Sequence, residues 1–465
     1  MVFSSIEFLF YFLPLALIIY YISPKKLKNF SLFVTGVIFY AWGEPIYVLV
    51  MLLSIVIDYT AGRMMQRFDD TKKRRICLIV SVVMNLGLLF AFKYSSFAVE
   101  IVNTVFKTKI PDPNLPLPIG ISFFTFQSMS YTIDLYLNKY PVQKNFIDFA
   151  AYVTMFPQIV AGPIVKYSDV ADSLKERSIT ISDVSDGVTI FIKGLAKKVL
   201  LANNIGVFWA DIKAMDYSTM PALTAWLGIA AFTFQIYFDF SGYSDMAIGL
   251  GRMLGFRFTE NFNLPYISKS VSEFWRRWHI SLGSWFREYV YFPLGGSHEG
   301  RLKTVRNLAI VWLLTGLWHG ASMNFVLWGL WFGVLIIIEH LWLSKLLKKL
   351  PGWISWLYTM LAVVLGWVMF ESKTLSDALG YFGAMFGASG FSDSHSLALL
   401  SQSAVSFALC IFFASGVRRD YVERLGGSES KVVTAVIPII NAGLLIACTA
   451  YLVNSGYNPF LYFNF

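Results

Sequence analysis

Long apolar stretches alternate with short polar loops along most of the chain, and this pattern predicts membrane-spanning helices. Crossing a bilayer takes about 20 apolar residues, and backbone groups in lipid must be satisfied within the segment, so such stretches form helices. Several are short or contain Gly and Pro, so we expect an all-α polytopic membrane protein with about 11 crossings plus re-entrant or interfacial helices, residues 1–465 forming one membrane domain. The stretches are residues 6–23, 29–42, 45–66, 76–92, 117–137, 147–162, 187–208, 222–250, 305–320, 324–343, 353–371, 396–415 and 432–453.

Basic residues in the loops indicate how the chain is oriented, because cytoplasmic loops carry an excess of Lys and Arg. Placing four basic loops in the cytoplasm puts the N-terminus and the C-terminal tail, residues 455–465, on the extracytoplasmic side. The N-terminal stretch has no basic start and no small-residue cleavage site, so we interpret it as a retained first span. The basic loops contain Lys25, Lys26 and Lys28; Lys72, Lys73, Arg74 and Arg75; Lys345, Lys348 and Lys349; and Arg418, Arg419 and Arg424.

Composition supports a membrane protein and excludes other classes. The chain of 465 residues is 56% hydrophobic and 14% charged, with a mean hydropathy of +0.58, more apolar surface than one soluble core could bury. The net charge of +9 lies in loops and not in a stripe with base-stacking aromatics, so no nucleic-acid partner is expected. The cysteines form no CxxC pair, and there is no HExxH or Walker-type motif, so we expect no bound metal or cofactor.

The densest mixture of charged and aromatic residues is residues 261–296, which we call the aromatic–basic region. Such a mixture suits a helix at the cytoplasmic interface or a helix lining a wet cavity. It is either an interfacial anchor or a mouth for a phosphate-bearing donor, which basic side chains would bind. Glu273 and Arg277 are four residues apart and are expected to pair. The candidate donor-binding residues are Lys269, Trp275, Arg276, Arg277 and Trp278; His279 lies among them.

An apolar, Trp-rich helical run at residues 311–331 contains one strongly polar side chain, His319. A titratable group inside a membrane is costly and is therefore a functional candidate, and histidine transfers protons near neutral pH. The alternative is a structural histidine that is hydrogen-bonded to a neighbouring carbonyl. Gly316 and Gly329 each begin a small-xxx-small pair, a spacing that is typical of close helix packing.

Titratable residues elsewhere are weaker candidates. The carboxylates within apolar stretches are Asp58, Asp134, Asp239 and Asp245. The stretch FDFSGYSDMAIGLGRMLG, which contains the last two, can form an ion site or a proton relay, or it can be structural and pair with Arg252 or Arg257; we favour the structural interpretation. The remaining histidines, which lie in loops or at the end of a span, are expected to be solvated: His298, His340 and His395.

Two motifs in these regions resemble the signature of a known family. EFWRRWHISLGSWFREYVYFPLGG and LLTGLWHGASMNFVLWG are similar to the membrane-bound O-acyltransferase (MBOAT) family. The opening VFSSIEFLFYFLPLALIIYY and GPIVKYSD are similar to its bacterial branch that O-acetylates alginate and peptidoglycan, which is related to proteins that transfer D-alanine to teichoic acid. The resemblance covers nearly the whole chain and implies a helical funnel with a motif core at residues 261–331. It also implies that His319 is the catalytic histidine and that His279 holds the second motif position.

The tail carries a further resemblance. FLYFNF, residues 460–465, has the F-x-Y-x-x-F form of a motif in a small partner protein of the D-alanylation system, where the tyrosine carries the acyl group. This resemblance implies that Tyr462 is an acyl acceptor. The alternative is an aromatic anchor at the membrane interface.

The family resemblance implies an O-acyltransferase of the cytoplasmic (inner) membrane. It would take an acetyl group from a cytoplasmic thioester, expected to be acetyl-CoA, and pass it across the membrane for transfer to a polysaccharide. His319 would act as general base, and an extracytoplasmic partner of the SGNH-hydrolase type would complete the transfer. The alternatives are D-alanyl transfer from a carrier protein, acylation of a lipid, and a polysaccharide or ion transporter, for which inverted repeats are expected.

Overall fold

The computed structural model of the chain is helical throughout the part that it describes. It describes residues 1–160, 162–417, 431–454, 456, 458 and 461, and no β-strand occurs in these ranges. The predicted all-α fold class is therefore confirmed. Arg418, Arg419 and Arg424 of the fourth basic loop, and Tyr462 of the tail, lie outside the described residues.

Within the described ranges, seven helices are long and apolar enough to cross a membrane, which confirms a multi-pass membrane protein. A shorter apolar helix, Phe8–Ile22, precedes them. Other apolar stretches form shorter helices, so the expected count of about 11 crossings stays a prediction. The seven are Val48–Arg67, Thr71–Phe106, Ala222–Met253, Met323–Leu347, Gly352–Glu371, Ser394–Ala414 and Ala435–Asn454.

Contacts divide the chain into two compact units, and whether they act as one domain stays a prediction. Unit 1 comprises Met1–Phe191 and Ser244–Thr259, and unit 2 comprises Ile192–Tyr243 and Glu260–Phe465. The α-helices are α1 (Leu13–Ile22), α2 (Lys28–Gly43), α3 (Val48–Arg67), α4 (Thr71–Leu89), α5 (Ser95–Phe106), α6 (Ile121–Tyr136), α7 (Phe146–Thr154), α8 (Phe156–Ile159), α9 (Tyr167–Lys175), α10 (Ile181–Ala196), α11 (Asn203–Lys213), α12 (Ala222–Met253), α13 (Val271–Arg277), α14 (Ile280–Phe286), α15 (Arg301–His319), α16 (Met323–Ile338), α17 (Ser344–Leu347), α18 (Gly352–Glu371), α19 (Leu375–Met385), α20 (Ser394–Ala414) and α21 (Lys431–Asn454). Short 3₁₀ turns lie at Lys25–Leu27 and Pro265–Ile267, and π-helical turns lie at Phe8–Phe12, Phe90–Tyr94, Lys197–Ala202, Arg287–Tyr291 and Glu339–Leu343.

In unit 1, the stretch predicted as a span at residues 147–162 is broken. Helix α7 ends at Thr154, and Met155 leaves the helical conformation with ψ 110°. Pro157 lies in the first turn of α8 and has no N–H with which to continue α7. At 1.5 Å per residue neither piece is long enough to cross a bilayer, so this prediction of a continuous span is wrong, and both helices are buried inside unit 1.

Three of the carboxylates in the apolar stretches have polar or basic partners, which supports the structural interpretation, but Arg252 and Arg257 are not those partners. Arg252 pairs with Asp186 at 2.9 Å, and Arg257 lies 3.7 Å from Asp183. That part of the prediction is wrong, because both arginines pair instead with acidic residues at the start of α10. The observed pairs are Asp58 with Ser81 and Asn85 through hydrogen bonds of 2.5 and 2.7 Å, Asp134 with Lys139 at 3.0 Å, and Asp239 with Lys198 at 2.6 Å.

Candidate active site

A tight hairpin of α15 and α16 in unit 2 positions His319. Helix α15 ends at His319, and α16 begins at Met323 after a short turn. A Cβ placed on Gly329 would lie only 2.5 Å from the Trp312 carbonyl oxygen and 3.0 Å from the Gly316 Cα. The two helices can therefore approach this closely only because glycine lacks a side chain at the crossing, and the packing role predicted for the small-xxx-small pairs is confirmed.

His319 lies inside unit 2 and not on its outer surface. Its side chain is 5% exposed, and three aromatic rings surround it. The ring centroids of Trp318, Trp328 and Phe370 lie 5.0, 4.9 and 5.3 Å from that of the imidazole, each in an edge-to-face arrangement. These contacts fix the plane of the imidazole by packing, which is how a rigid shell orients a proton-transferring group.

The aromatic–basic region contains two short helices where the sequence suggested one. Helices α13 and α14 are separated at Trp278, which is extended, and His279, which has φ +46°. Asn261 stabilises the break, because its carbonyl oxygen accepts the Ile280 N–H at 3.0 Å and its side-chain oxygen accepts the Ser281 N–H at 3.1 Å. A left-handed residue is uncommon outside glycine, and here it directs the His279 ring into the interior of unit 2, where it is 2% exposed.

Asn261 also sets the tautomer of His279. Its Oδ1 atom accepts from the Ser281 backbone N–H, so this atom is the amide oxygen and can only accept. His279 Nδ1 lies 3.3 Å from the same oxygen and must therefore carry the hydrogen. In the neutral ring the lone pair is then on Nε2. Burial lowers the pKa of His279 to about 3, so the ring is neutral at physiological pH.

One indole joins the two histidines. The Trp318 ring lies 5.8 Å from the His279 ring and 5.0 Å from the His319 ring, between centroids. Phe240 of α12 packs edge-to-face against His279, with ring centroids 4.8 Å apart. Both predicted catalytic histidines, forty residues apart in the chain, therefore belong to one aromatic cluster within unit 2.

The five candidate donor-binding residues separate into two groups. Trp275 and Trp278 lie in the aromatic cluster: Trp275 is 5.5 Å from Trp328, and Trp278 is 4.9 Å from Trp367. Both indoles thus contact other aromatic rings of unit 2.

The three basic candidates also differ from one another. Arg277 is engaged, since it binds Glu273 through two nitrogens at 3.0 Å, as predicted, and donates to the Asn263 carbonyl at 3.1 Å. Lys269 and Arg276 are exposed. Of the basic candidates, these two present side chains that are accessible to a solvated phosphate group.

Comparison with known proteins identifies the family. Residues 139–370 match the sequence profile described as "MBOAT, membrane-bound O-acyltransferase family". The chain is 38% identical, over all of both chains, to the "Probable alginate O-acetylase AlgI" of Pseudomonas putida. It is 33% identical to the "Peptidoglycan O-acetyltransferase" of Helicobacter pylori, over 88% of this chain and 83% of the relative.

This chain belongs to the membrane-bound O-acyltransferase family. A more distant relative, the "Teichoic acid D-alanyltransferase" of Streptococcus thermophilus, is 28% identical over 49% of this chain and 58% of its own length. The profile includes His279, His319 and Phe370, so the aromatic cluster lies within the matched residues. The protein is thus an O-acyltransferase, and the resemblance inferred from the two histidine motifs is confirmed.

Several residues of this acyltransferase site were not identified from the sequence. Asn261 is the first residue of the aromatic–basic region and has no distinctive neighbours in the sequence. Phe240 and Phe370 are apolar residues in apolar spans, so nothing in the sequence distinguishes them from other residues of these spans. The sequence signal for Asn261 is its position as an amide at the start of the region that contains His279. Within the described ranges, no three His, Cys, Asp or Glu side chains are placed to hold a metal ion.

A cavity of about 230 Å³ lies beside the cluster in unit 2. Its walls include Val368, Glu371 and Ser372, which flank Phe370 on the chain. The Ser372 carbonyl accepts a 2.7 Å hydrogen bond from Asn324, at the start of α16. The cavity therefore reaches the end of α18, which contacts the hairpin that carries His319 in this membrane-bound O-acyltransferase.

Proposed function

We propose that this enzyme passes an acetyl group from cytoplasmic acetyl-CoA across the inner membrane for O-acetylation of an extracytoplasmic polysaccharide. The observation that carries the proposal is the convergence of His279 and His319 on the Trp318 ring. The names of the alginate and peptidoglycan relatives support the substrate class. The N-terminus and the C-terminal tail are extracytoplasmic in this proposal, and a partner of the SGNH-hydrolase type receives the acetyl group.

His319 acts as general base. It takes the proton of an acceptor hydroxyl while that oxygen attacks the thioester carbonyl, and the proton then passes to the departing thiolate, so that an ester and free CoA are formed. Tyr462 is the proposed acceptor. A phenol has a pKa near 10, so it requires a base to attack and is a reasonable leaving group when the partner transfers the acetyl group to a sugar hydroxyl.

His279 acts beside His319 as a neutral group. With a pKa lowered to about 3 by burial, its ring is too weak a base to hold a proton at physiological pH. Its Nε2 lone pair can still accept a hydrogen bond and so orient the acceptor or the donor. The donor phosphates bind at the cytoplasmic surface through Lys269 and Arg276, both exposed, with Arg277 supporting this surface through Glu273.

Cells that acetylate their polysaccharide provide the test. His319→Ala should reduce polymer acetylation by about 10²–10⁴-fold, the contribution of a positioned base. His340→Ala, which alters an exposed histidine at the end of a span, is the control. Normal acetylation in cells that hold His319→Ala protein in the membrane would refute the base role.

The rival acyl group is D-alanine, which the teichoic acid relative transfers according to its name. That relative matches only half of this chain, whereas the alginate relative matches all of it, so acetyl is favoured. Incubating the purified enzyme with acetyl-CoA or with D-alanyl carrier protein separates the two. Release of free CoA supports acetyl transfer, and consumption of only the D-alanyl thioester would overturn it.

A further inference from the structure

A buried ion pair in unit 2 joins α12 to the π-helical turn after α10. Lys198 Nζ lies 2.6 Å from Asp239 Oδ1, and both side chains are 2% exposed. The helices approach closely here because a Cβ on Gly242 would lie 2.7 Å from the Gly194 carbonyl oxygen. Burying two charges is costly even when they pair, so such a pair is weak evidence for a purely stabilising role.

The second carboxylate oxygen of this pair binds the C-terminal segment. Leu461, which is 9% exposed, donates its backbone N–H to Asp239 Oδ2 at 3.0 Å. Asn458 lies three residues before Leu461, and its side-chain oxygen accepts a hydrogen bond of 3.1 Å from the side chain of Asn203 in α11. A hydrogen bond from an amide to a carboxylate is about twice as strong as a neutral one. The donor here is the backbone N–H of residue 461, so the contact does not depend on the side chain at that position.

The location of the pair connects it to the active site. Asp239 immediately precedes Phe240, whose ring packs on His279 at 4.8 Å. The residue that follows Leu461 in the chain is Tyr462. A cavity of about 440 Å³, lined by Asn203, Val207 and the end of α21, adjoins the same binding position.

We propose that Lys198 and Asp239 form a docking site for the chain's own C-terminal segment, which we call the tail dock. Asp239 binds the backbone at residue 461, and Lys198 supplies the counter-charge that a buried carboxylate requires. The dock fixes the backbone of residue 461 beside Asp239, the residue that precedes Phe240 in α12. Its role in acyl transfer rests on the proposed function, whereas the docking itself does not, and Lys198 and Asp239 are positioning residues.

A disulfide tests the docked geometry without any measurement of activity. Full-length protein with Asn203→Cys and Asn458→Cys is oxidised in membranes, and the linked peptides are quantified by mass spectrometry. The control pair is Ala210→Cys with Asn458→Cys, because residue 210 lies about 10 Å further along α11. The native cysteines Cys77, Cys410 and Cys448 are buried and give little background. The Asn203 pair should link well above the control, and equal yields would overturn the dock.

The backbone contact is tested at residue 461 in the Asn203–Asn458 cysteine pair. Leu461→Pro removes the N–H, and loss of a hydrogen bond to a charged group should lower linking about ten- to a hundred-fold. Leu461→Ala keeps the N–H and should keep the linking yield within about twofold. Equal yields from the two variants would show that Asp239 does not hold the tail.

The ion pair is tested by two neutral replacements. Lys198→Met with Asp239→Leu removes both charges and the acceptor oxygen, whereas Lys198→Met with Asp239→Asn keeps an acceptor of the same shape. We expect the first to lose both linking and acetylation of the tail, and the second to retain both. Equal behaviour of the two variants would overturn the dock. Normal linking without acetylation of Tyr462 in otherwise native protein would instead refute the proposed function and leave the dock standing.

Discussion

Replacing Gly329 with alanine should displace His319 without touching it. A Cβ at this position would lie 2.5 Å from the Trp312 carbonyl oxygen, whereas ordinary contacts begin near 3.4 Å, and a backbone oxygen cannot rotate away. The hairpin must therefore open by roughly 1 Å, and a misplacement of that size costs about 10²-fold in rate. Trp328, the residue before Gly329, contacts the His319 ring, so that a shift of this helix displaces the ring.

The expected results distinguish a displaced His319 from a general loss of stability. Overpacking costs about 1–3 kcal/mol of stability, partly offset by the better helix propensity of alanine, worth about 1 kcal/mol. Gly443→Ala in α21 is the control, because a Cβ there meets nothing within 4 Å; it should be neutral or stabilising. The measurements are acetyl-CoA consumption and thermal unfolding of purified protein. Folded Gly329→Ala protein with a wild-type rate would refute the idea that this crossing positions His319.

Three further predictions follow from other residues. Tyr462→Phe keeps the aromatic ring but removes the oxygen, and should abolish polymer acetylation in cells; normal acetylation would exclude acyl carriage. His279 has a pKa lowered from 6.5 to about 3 by burial, so the unfolded chain binds a proton below pH 6.5 that the folded chain excludes. Stability is thus present above pH 6.5 and is lost as the pH falls, by about 2 kcal/mol between pH 7 and pH 5. His279→Asn should flatten that dependence in thermal unfolding, the exposed His298→Asn should not, and an unchanged slope in His279→Asn would contradict the assignment. Arg276→Gln should raise KM for acetyl-CoA several-fold with kcat little changed. Arg277→Gln breaks the pair with Glu273 and should mainly lower stability. The reverse pattern would contradict the assignment of donor binding to Arg276 and of a structural role to Arg277.

The sequence was informative wherever a residue conflicted with its surroundings. His319 was identifiable because an imidazole among Trp and Leu is costly in a membrane, and Gly316 and Gly329 because their spacing serves close helix packing. The pairing of Glu273 with Arg277 followed from helical geometry. Each of these signals lies within one short stretch of the chain, and the structure contains the buried His319, the close helix crossing and the Glu273–Arg277 pair.

Contacts between distant residues were not predictable in this way. The sequence offers Arg252 and Arg257 as partners of Asp239 because they are near in the chain. The partner is instead Lys198, about forty residues earlier, because Gly242 allows close approach of the two helices. The break between α13 and α14 depends on hydrogen bonds that Asn261 accepts from the start of α14. It also requires His279 to adopt a left-handed conformation, which local propensity does not favour. The tautomer of His279 depends in turn on these hydrogen bonds of Asn261.

The central claim is that His319 drives transfer of an acetyl group to Tyr462. The most direct measurement is mass spectrometry of the C-terminal peptide after purified enzyme is incubated with isotope-labelled acetyl-CoA. We predict labelled acetyl on the Tyr462 oxygen in the native protein and its absence in His319→Ala. Label on Tyr462 at equal levels in both proteins, or free CoA released by the native protein with no labelled tyrosine, would contradict the claim.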